Sequence, residues 1–450
     1  MSYVKFAIRN SWRQRKRNIF TILTMMVGIA GLINLSGYIN RWRYTLAYDA
    51  IFLRGKGSVV IYKPDGLRMS SHNPKRYTFS PAEQEKIVSL LKSDPQIIET
   101  GRYLMSSGLV SNGCVSTPFE LLGYEPDLDQ RLRNRPEVRQ WCENADVFVA
   151  GKKFADYKET NIVGLARGLA KIIGKQTPLD RSEEQAKVSD LKAYCEGPGA
   201  KERIASDPNV QLLSLTLDGQ FSAADADLAH VYSTGLSITE DTKMVAPLAL
   251  AQDLFQSQNI SYFGVYLNDQ TIAQNKADQI AITLAENGLK ADVYSWSDIK
   301  INPYYVGTMS FLYTIGLFFA VLIFSVVSLS VINLTTMNIL DRSREIGTLK
   351  ALGFNQRTVS WIFFLESAII AATGCLAGLS LGAVAAEAIN SARIKFVPPG
   401  AADAVTLLIV PDAMVTTSIV AFTFLLVTLS SFITGSRLSR RSCLDLLTKT

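Results

Sequence analysis

The sequence is short of the residues that enzymes use most often, and this scarcity limits the functions open to it. Only two of its 450 residues are histidine, His72 and His230, and each lies in a polar stretch that we expect at the surface. Neither is accompanied by a nucleophile motif such as G-x-S-x-G. The sequence therefore favours a non-catalytic protein.

Cysteine is also scarce, and its spacing matches neither the zinc nor the redox motifs. The five cysteines are Cys114, Cys142, Cys195, Cys375 and Cys443. The first three fall in one segment between two hydrophobic runs. In an oxidising compartment one disulfide could form among these three, which would leave the remaining thiol free.

A nucleotide-binding loop is absent as well. The stretch GLARGLAKIIGKQT superficially suggests one, but five residues separate Gly168 from Gly174 where the motif needs four. Gln176 also replaces the magnesium-binding hydroxyl. We expect a helix here instead, with these apolar residues on one side: Leu165, Leu169, Ile172 and Ile173. Any ATP-binding site is therefore expected on another polypeptide.

Charge is nearly absent from four long runs. They predict transmembrane helices at residues 19–40, 306–333, 360–389 and 413–436, since each exceeds the roughly 20 residues that cross about 30 Å of hydrocarbon. The first run is longer than the apolar core of a signal peptide, and no small-residue cleavage site follows it. We therefore interpret it as a membrane helix rather than a cleaved leader.

Basic residues predict the orientation of these helices. They cluster in residues 1–18, 334–359 and 437–450, whereas residues 390–412 contain only two. Positive residues favour the cytoplasmic side of short loops, so both termini and the middle loop are predicted to be cytoplasmic. Residues 41–305 then form a large extracytoplasmic domain. The basic residues at its start do not argue against this orientation, because long loops translocate largely regardless of charge.

Patterns within this outer segment predict an α+β domain inserted between the first two membrane helices. Residues 80–83, SPAE, are typical N-cap, first-turn and capping-box residues for a helix over 81–92. Later runs predict a helix opened by Pro247 and a βαβ-type unit with SYFGVYLND and KADVYSW as strands. Residues 155–205 show no clear pattern, and the charged stretch DRSEEQAKVSDLKAYCEGPGAKER within them is predicted to be an inserted helical excursion.

A charged segment, ILDRSREIGTLKALGF, connects the second and third runs. Ile346, Leu349 and Leu352 recur at three-residue spacing, which gives an apolar stripe on a helix. Opposite charges three residues apart can pair along its surface. The pattern predicts a short amphipathic helix at the cytoplasmic face. A solvated linker and a helix lying on anionic lipid are the alternatives.

The third run carries three glycines at four-residue spacing, Gly374, Gly378 and Gly382. This spacing predicts a helix face that another helix can approach closely. Glu366 lies near the start of the same run, and no intramembrane Asp, His or Lys is visible as its partner. We therefore expect Glu366 to have a structural role rather than to transfer protons.

The charged segment resembles the cytoplasmic signature of the MacB/FtsX family of ABC transporter permeases, a pattern close to R-x-R-E-I-G-x-L-(R/K)-A-L-G. The matching residues are Arg342, Arg344, Glu345, Ile346, Gly347, Leu349, Lys350, Ala351, Leu352 and Gly353. The acid and spaced glycines of the third run, and the stretch VAPLALAQDLF, are also similar to features of this family. The chain is likewise similar to the related Lol lipoprotein-releasing permeases. Two features depart from it: the 155–205 region does not obviously fit, and Cys443 stands where a proline is frequent.

The resemblance implies how the chain would work. The helix from Arg342 to Phe354, within the cytoplasmic segment 334–359, would be a coupling element that docks on a separate cytoplasmic ABC ATPase, with Asp341 among its coupling residues. That ATPase would bind ATP and Mg²⁺, so no cofactor is expected in this chain. The permease would pair with a second protomer, identical or related, in the bacterial inner membrane. ATP-driven motion would pass along the first two helices to the outer domain, which is called mechanotransmission.

The function implied is export or extraction of a lipoprotein, peptide or lipophilic compound. A periplasmic adaptor or outer-membrane protein would be a further partner, with lipid around the helices and no nucleic acid. Two other hypotheses stay open: an FtsX-like regulator that activates a cell-wall hydrolase without transport, and a sensor or anchor that has no ATPase. No readable motif selects the substrate.

Overall fold

The computed structural model describes residues 15–70, 73–143, 148–175, 191–196, 198–341 and 356–438. The chain divides into two compact units. The membrane unit comprises Met1–Arg43, Thr308–Lys395 and Thr406–Thr450, and the outer unit comprises Tyr44–Gly307 and Phe396–Val405.

The helices and strands are numbered in chain order. The helices are α1 (Arg15–Tyr48), α2 (Gly66–Met69), α3 (Pro74–Tyr77), α4 (Pro81–Lys92), α5 (Pro126–Arg133), α6 (Pro136–Trp141), α7 (Arg167–Ile172), α8 (Leu191–Glu196), α9 (Ala200–Ser206), α10 (Leu248–Phe255), α11 (Ala273–Glu286), α12 (Pro303–Asp341), α13 (Gln356–Ala392) and α14 (Ala413–Leu438). The strands are β1 (Val59–Tyr62), β2 (Ile97–Ser111), β3 (Ser116–Tyr124), β4 (Phe148–Gly151), β5 (Ile162–Ala166), β6 (Asn209–Leu215), β7 (Phe221–Tyr232), β8 (Lys243–Pro247), β9 (Tyr262–Leu267), β10 (Asp292–Ser295), β11 (Lys395–Phe396) and β12 (Val405–Thr406).

Four helices of the described chain are long and apolar enough to cross a membrane. The stretches concerned are Asn18–Leu53, Pro303–Asn338, Phe364–Ala392 and Ala413–Thr434. Along α12, Phe311, Leu317 and Phe318 are 64, 67 and 63% exposed. Apolar surface on this scale is stable in lipid, where helices satisfy their own backbone hydrogen bonds. The predicted four-helix membrane fold is confirmed.

The outer unit is built on one large sheet. Its strands run in the order β10-β1-β9-β2-β3-β8-β5-β7-β4, and β6 pairs with both β2 and β7. Because β1 is antiparallel to both β9 and β10, the latter two are parallel to each other and joined by α11. This is the predicted βαβ-type unit, with β1 inserted between its strands. The α+β class predicted for this domain is confirmed.

Two helices of the outer unit begin where their sequence signals predict. The backbone N–H of Ser80 donates to Glu83 Oε2 at 2.8 Å, which completes a capping box at the start of α4. Pro247 ends β8 and serves as the N-cap of α10. α10 and α11 cover the sheet with apolar side chains, so the core of the outer unit lies between these helices and the strands.

One predicted helix is partly a strand, because the helix expected over residues 164–177 is wrong at its start. In the charged stretch over residues 180–203, predicted to be a helical excursion, the described residues include α8 and the start of α9. Residues 162–166 form β5, which pairs in parallel with β7 and is buried along its whole length. A strand buried on both faces shows no alternation, so its apolar run is easily misread as one side of a helix. Leu165 therefore lies in β5, and α7 begins only at Arg167, with Leu169 and Ile173 buried and Ile172 exposed.

His230 is buried, so the prediction that it lies on the surface is wrong. It is 2% exposed within β7, where its ring contacts Phe148 and Phe154. Its Nδ1 lies 3.1 Å from the backbone oxygen of Lys152. Burial lowers its pKa to about 3, so the ring stays neutral and supports the core. His72 lies outside the described residues.

Two of the three outer cysteines form a disulfide, a possibility that the sequence left open. Cys114 and Cys195 are bonded, and their Cα atoms are 5.6 Å apart. This bond joins the turn between β2 and β3 to α8. Cys142 is buried and is not disulfide-bonded, and Cys443 lies outside the described residues.

Candidate functional site

The glycines of α13 face α1 at very short range. A Cβ atom added to Gly378 would lie 2.7 Å from Ile29 Cβ, closer than real side chains approach. At Gly374 the added atom would lie 3.0 Å from Met25 Cε, and at Gly382 it would lie 3.4 Å from Ala30 Cα. The absent side chains thus let the two helices pack backbone to side chain, which is the geometry of a small-xxx-small seam.

A second close contact holds α1 on another side. An atom added to Gly28 of α1 would lie 2.8 Å from Ile323 of α12. The apolar residues buried at the centre of the membrane unit come from all four helices: Met25, Ile29, Ile33, Val327, Val331, Ala371, Cys375 and Val427. α1 is therefore enclosed by its neighbours, and a displacement of one helix must move the others.

A cluster of buried hydroxyls connects α12, α13 and α14. Ser367 donates to Ser431 Oγ at 2.5 Å, and Thr335 donates to the same oxygen at 3.2 Å. All three residues are buried. Hydrogen bonds between membrane helices hold them together in an environment that offers no water as a competitor.

Glu366 lies beside this hydroxyl cluster. It is 2% exposed and lines a small cavity with Thr21, Asn338 and Ser367. The described residues that line the cavity include no Asp, His or Lys. The structural role expected for Glu366 stays a prediction.

Three asparagines in apolar surroundings were missed by sequence reasoning. Asn34 Nδ2 donates to Gly382 O at 3.3 Å, which adds a polar contact to the glycine seam. Asn40 Nδ2 donates to Val410 O at 3.0 Å, and Asn390 exchanges two hydrogen bonds with Ile409 at 2.7 and 2.9 Å. The signal that could have revealed them is an amide side chain within or beside an apolar run, where burial without a partner is costly.

The coupling segment is only partly visible. Asp341 is the last residue of α12 and is exposed. The remaining residues predicted for ATPase coupling lie outside the described residues: Arg342, Arg344, Glu345, Ile346, Gly347, Leu349, Lys350, Ala351, Leu352 and Gly353. Their role stays a prediction.

The outer unit contains a cleft that no sequence motif indicated. Its volume is about 530 Å³, and its apolar floor includes Leu128, Phe154 and Leu248. Its charged lining residues are of both signs: Glu125, Asp127, Arg131, Lys158 and Glu159. A cleft of this size and character is within the range that small ligands occupy.

Comparison with known protein families finds a match in the membrane unit. A family model described as "FtsX-like permease C-terminal" matches residues 317–443. A protein of Bacillus subtilis (strain 168) named as an uncharacterized ABC transporter permease, YvrN, is 25% identical over 109 residues, or 24% of this chain. The chain spans only about a quarter of that relative, 27% of its length.

Two solved structures each align with about half of the chain. The extracellular domain of the noncanonic ABC-type transporter YknZ from Gram-positive bacteria is 14% identical, with a TM-score of 0.31, and the alignment covers 53% of this chain and 98% of that one. The periplasmic region of MacB from Actinobacillus actinomycetemcomitans is 13% identical, with a TM-score of 0.33, over 55% of this chain and 94% of that one. TM-scores this low do not establish a common fold. By the match over residues 317–443, this part of the chain is an FtsX-like permease domain, in agreement with the resemblance to the MacB/FtsX permeases.

Proposed function

We propose that the chain is the permease subunit of an ABC transporter, which transmits ATP-driven motion of a separate ATPase to its outer unit. The observation that carries the proposal is the FtsX-like match over residues 317–443, because this range includes both the predicted coupling segment and the glycine seam of α13. The motion would drive export or extraction of a lipoprotein, peptide or lipophilic compound.

The packing of the membrane unit supports transmission of motion rather than a pore. The glycine seam and the buried hydroxyls bring the helices into direct contact. The cavity beside Glu366 has a volume of about 10 Å³, which is close to the space for one water molecule. Membrane helices packed this closely can transmit a displacement, while the small cavity beside Glu366 leaves no polar path for a substrate there.

The partners follow from the same proposal. The ATPase would dock at residues 341–353 and would bind ATP and Mg²⁺, and a second permease protomer would complete the assembly. The chain would lie in the bacterial inner membrane with both termini in the cytoplasm. A periplasmic adaptor or outer-membrane protein would receive cargo from the outer unit.

Copurification tests the coupling segment. We expect Glu345→Lys and Gly347→Trp to abolish association with the ATPase without affecting membrane insertion. Glu286→Lys is the matched control, because Glu286 is an exposed carboxylate at the end of α11 in the outer unit. Unchanged copurification of both coupling variants would contradict the assignment, and the absence of any ATPase from the wild-type preparation would favour a sensor or anchor.

Reconstituted vesicles separate transport from regulation. Transport predicts that a lipoprotein, peptide or lipophilic substrate stimulates ATP hydrolysis by the purified complex. An FtsX-like regulator would instead hydrolyse ATP without such stimulation and would activate a cell-wall hydrolase. The outcome therefore distinguishes the two functions while the ATPase partner is held constant.

A further inference from the structure

The segment that joins α13 to α14 belongs to the outer unit by its contacts. Phe396–Val405 groups with the outer unit, whereas the chain on either side of it groups with the membrane unit. The chain therefore passes between the two units four times, not only at the ends of α1 and α12.

Backbone hydrogen bonds attach this segment to the turn after β7. Ser237 N donates to Gly400 O at 3.0 Å, and Ala402 N donates to Gly235 O at 3.1 Å. Leu236 and Ala401 form an antiparallel bridge between these two bonds. The segment thus adds a short ladder to the outer unit at a defined register.

An ion pair and a hydroxyl fix the same register. Arg167 Nη1 lies 2.8 Å from Asp403 Oδ1, and Arg167 Nη2 donates to Ala402 O at 3.0 Å. Ser233 Oγ donates to the other carboxylate oxygen of Asp403. Arg167 is the first residue of α7 and follows the fully buried β5, so the core of the outer unit holds its backbone in place.

Glu240 positions the turn that receives the segment. It is 7% exposed, and its Oε1 accepts from Thr234 N at 2.6 Å and from Thr234 Oγ1 at 2.9 Å. Gly235 adopts a φ of +75°, a conformation that suits glycine. The buried carboxylate therefore organises the turn, which presents Ser233 Oγ and Gly235 O to the segment.

The contact is polar throughout. None of residues 396–405 is fully buried, and Val397 is 61% exposed. A contact made of hydrogen bonds and one ion pair can open and close again without exposing an apolar core to water. Its directional bonds nevertheless define one position while it is closed.

We propose that residues 396–405 are a releasable latch through which movement of the α13–α14 hairpin reaches the outer unit, with Arg167 and Asp403 as its paired contact and Glu240 as a positioning residue. This inference rests on the proposed function, because the movement it carries is the one that the ATPase drives. It adds a connection that is separate from the ends of α1 and α12.

Hydrogen–deuterium exchange on the full-length chain with its copurified ATPase, in nanodiscs, tests the latch. Asp403→Arg and Arg167→Asp should each speed exchange of the Ser237 and Ala402 amides by about five- to tenfold, the size expected for losing one such interaction. The double variant Arg167→Asp with Asp403→Arg restores the opposite charges and should slow exchange again. Asp218→Arg is the control, since Asp218 forms an exposed ion pair with Lys75 elsewhere in the outer unit.

The same samples are then compared with and without ATP and vanadate. If the latch carries motion, the nucleotide-dependent change in exchange at residues 233–241 is present in wild type, lost in each single variant and regained in the double variant. Exchange that is unaffected by the single substitutions overturns the latch, and so does a nucleotide response that survives them. In both cases the proposed function stands. A wild-type preparation without any ATPase overturns the proposed function and the latch together.

Discussion

The membrane unit and the outer unit are stabilised by different physical effects. The outer unit has a large apolar core, and its burial away from water is itself the main stabilising term. Between the membrane helices, lipid tails are as apolar as the side chains, so close packing and hydrogen bonds decide the arrangement. Apolar volume therefore matters most in the outer unit, whereas the smallness of a few residues matters most in the membrane unit.

The largest effect is expected from removing apolar volume in the outer core. Phe263 is 0% exposed and its ring centroid lies 5.6 Å from that of Phe79. Phe263→Ala should lower the free energy of unfolding by about 3–5 kcal/mol, measured by thermal unfolding of the full-length chain in detergent. Phe318→Ala removes the same side chain from a position of α12 that is 63% exposed, and little change is expected there. Equal losses in the two variants would contradict the distinction between the units.

The second-largest effect is expected from removing the disulfide of the outer unit. Cys114 and Cys195 are 81 residues apart in sequence. Replacing both by serine should cost about 2–4 kcal/mol of unfolding free energy, because the unfolded chain regains freedom. A reducing agent should lower the stability of wild type to that of the double variant and leave the variant unchanged. If the reductant destabilises both proteins equally, the bond is not the source of the loss.

A smaller effect is expected from adding one methyl group to the membrane seam. Gly378→Ala places a Cβ atom 2.7 Å from Ile29 Cβ, and overpacking of this kind costs about 1–3 kcal/mol. The midpoint of thermal unfolding of the full-length chain measures it. Adding Ile29→Ala to this variant should recover little of the loss, because alanine keeps the Cβ atom that lies 2.7 Å from the added methyl group.

Gly31→Ala is the matched control for the seam. An atom added at Gly31 has nothing within 4 Å, so the same chemical change should have little effect there. A loss at Gly31 as large as that at Gly378 would mean that helix backbone flexibility, rather than close packing, explains the requirement for glycine.

Features that depend on nearby residues could be predicted from the sequence. The membrane helices follow from uninterrupted apolar runs, and α4 follows from Ser80, Pro81 and Glu83, whose signals lie within one helical turn. The glycine spacing in α13 indicated a close-packed face, although the sequence did not identify α1 as the helix that packs there.

Features that depend on distant pairing could not be predicted. β5 is a strand because β7 pairs beside it, and nothing in its own residues distinguishes it from an apolar helix segment. His230 is buried although Asp225 and Asp227 precede it, because β7 passes from an exposed part of the sheet to an enclosed one. Arg167 and Asp403 are 236 residues apart, so only the fold brings them together.

The smallest expected effect is a pH dependence of stability that the two units should not share. Burial raises the pKa of Glu83, but hydrogen bonds from Ser80 and Lys63 lower it by more, so its pKa in the folded protein lies below its ordinary value of 4.5. A carboxylate with a lowered pKa contributes stability above its unfolded value and loses that contribution as the pH falls through the folded value. Glu83→Gln should therefore cost about 1 kcal/mol at pH 7, the size of a partly buried hydrogen-bonded pair.

At pH 3 the same substitution should cost much less, because the wild-type carboxyl is then increasingly protonated and resembles the glutamine. Urea unfolding of the outer unit in the full-length chain at the two pH values measures this difference. Glu85→Gln, an exposed neighbour on the same helix, controls for the change in charge and should have little effect at either pH. A loss at Glu83 that stays constant from pH 7 to pH 3 would mean that the shape of the side chain, and not its charge, stabilises α4. In the described part of the chain, the atoms nearest to Gly374, Gly378 and Gly382 belong to residues that do not titrate: Met25, Met26, Ile29, Ala30 and Ile33. The cost of Gly378→Ala should therefore be the same at both pH values, so that acid weakens the capped helix of the outer unit and spares the seam.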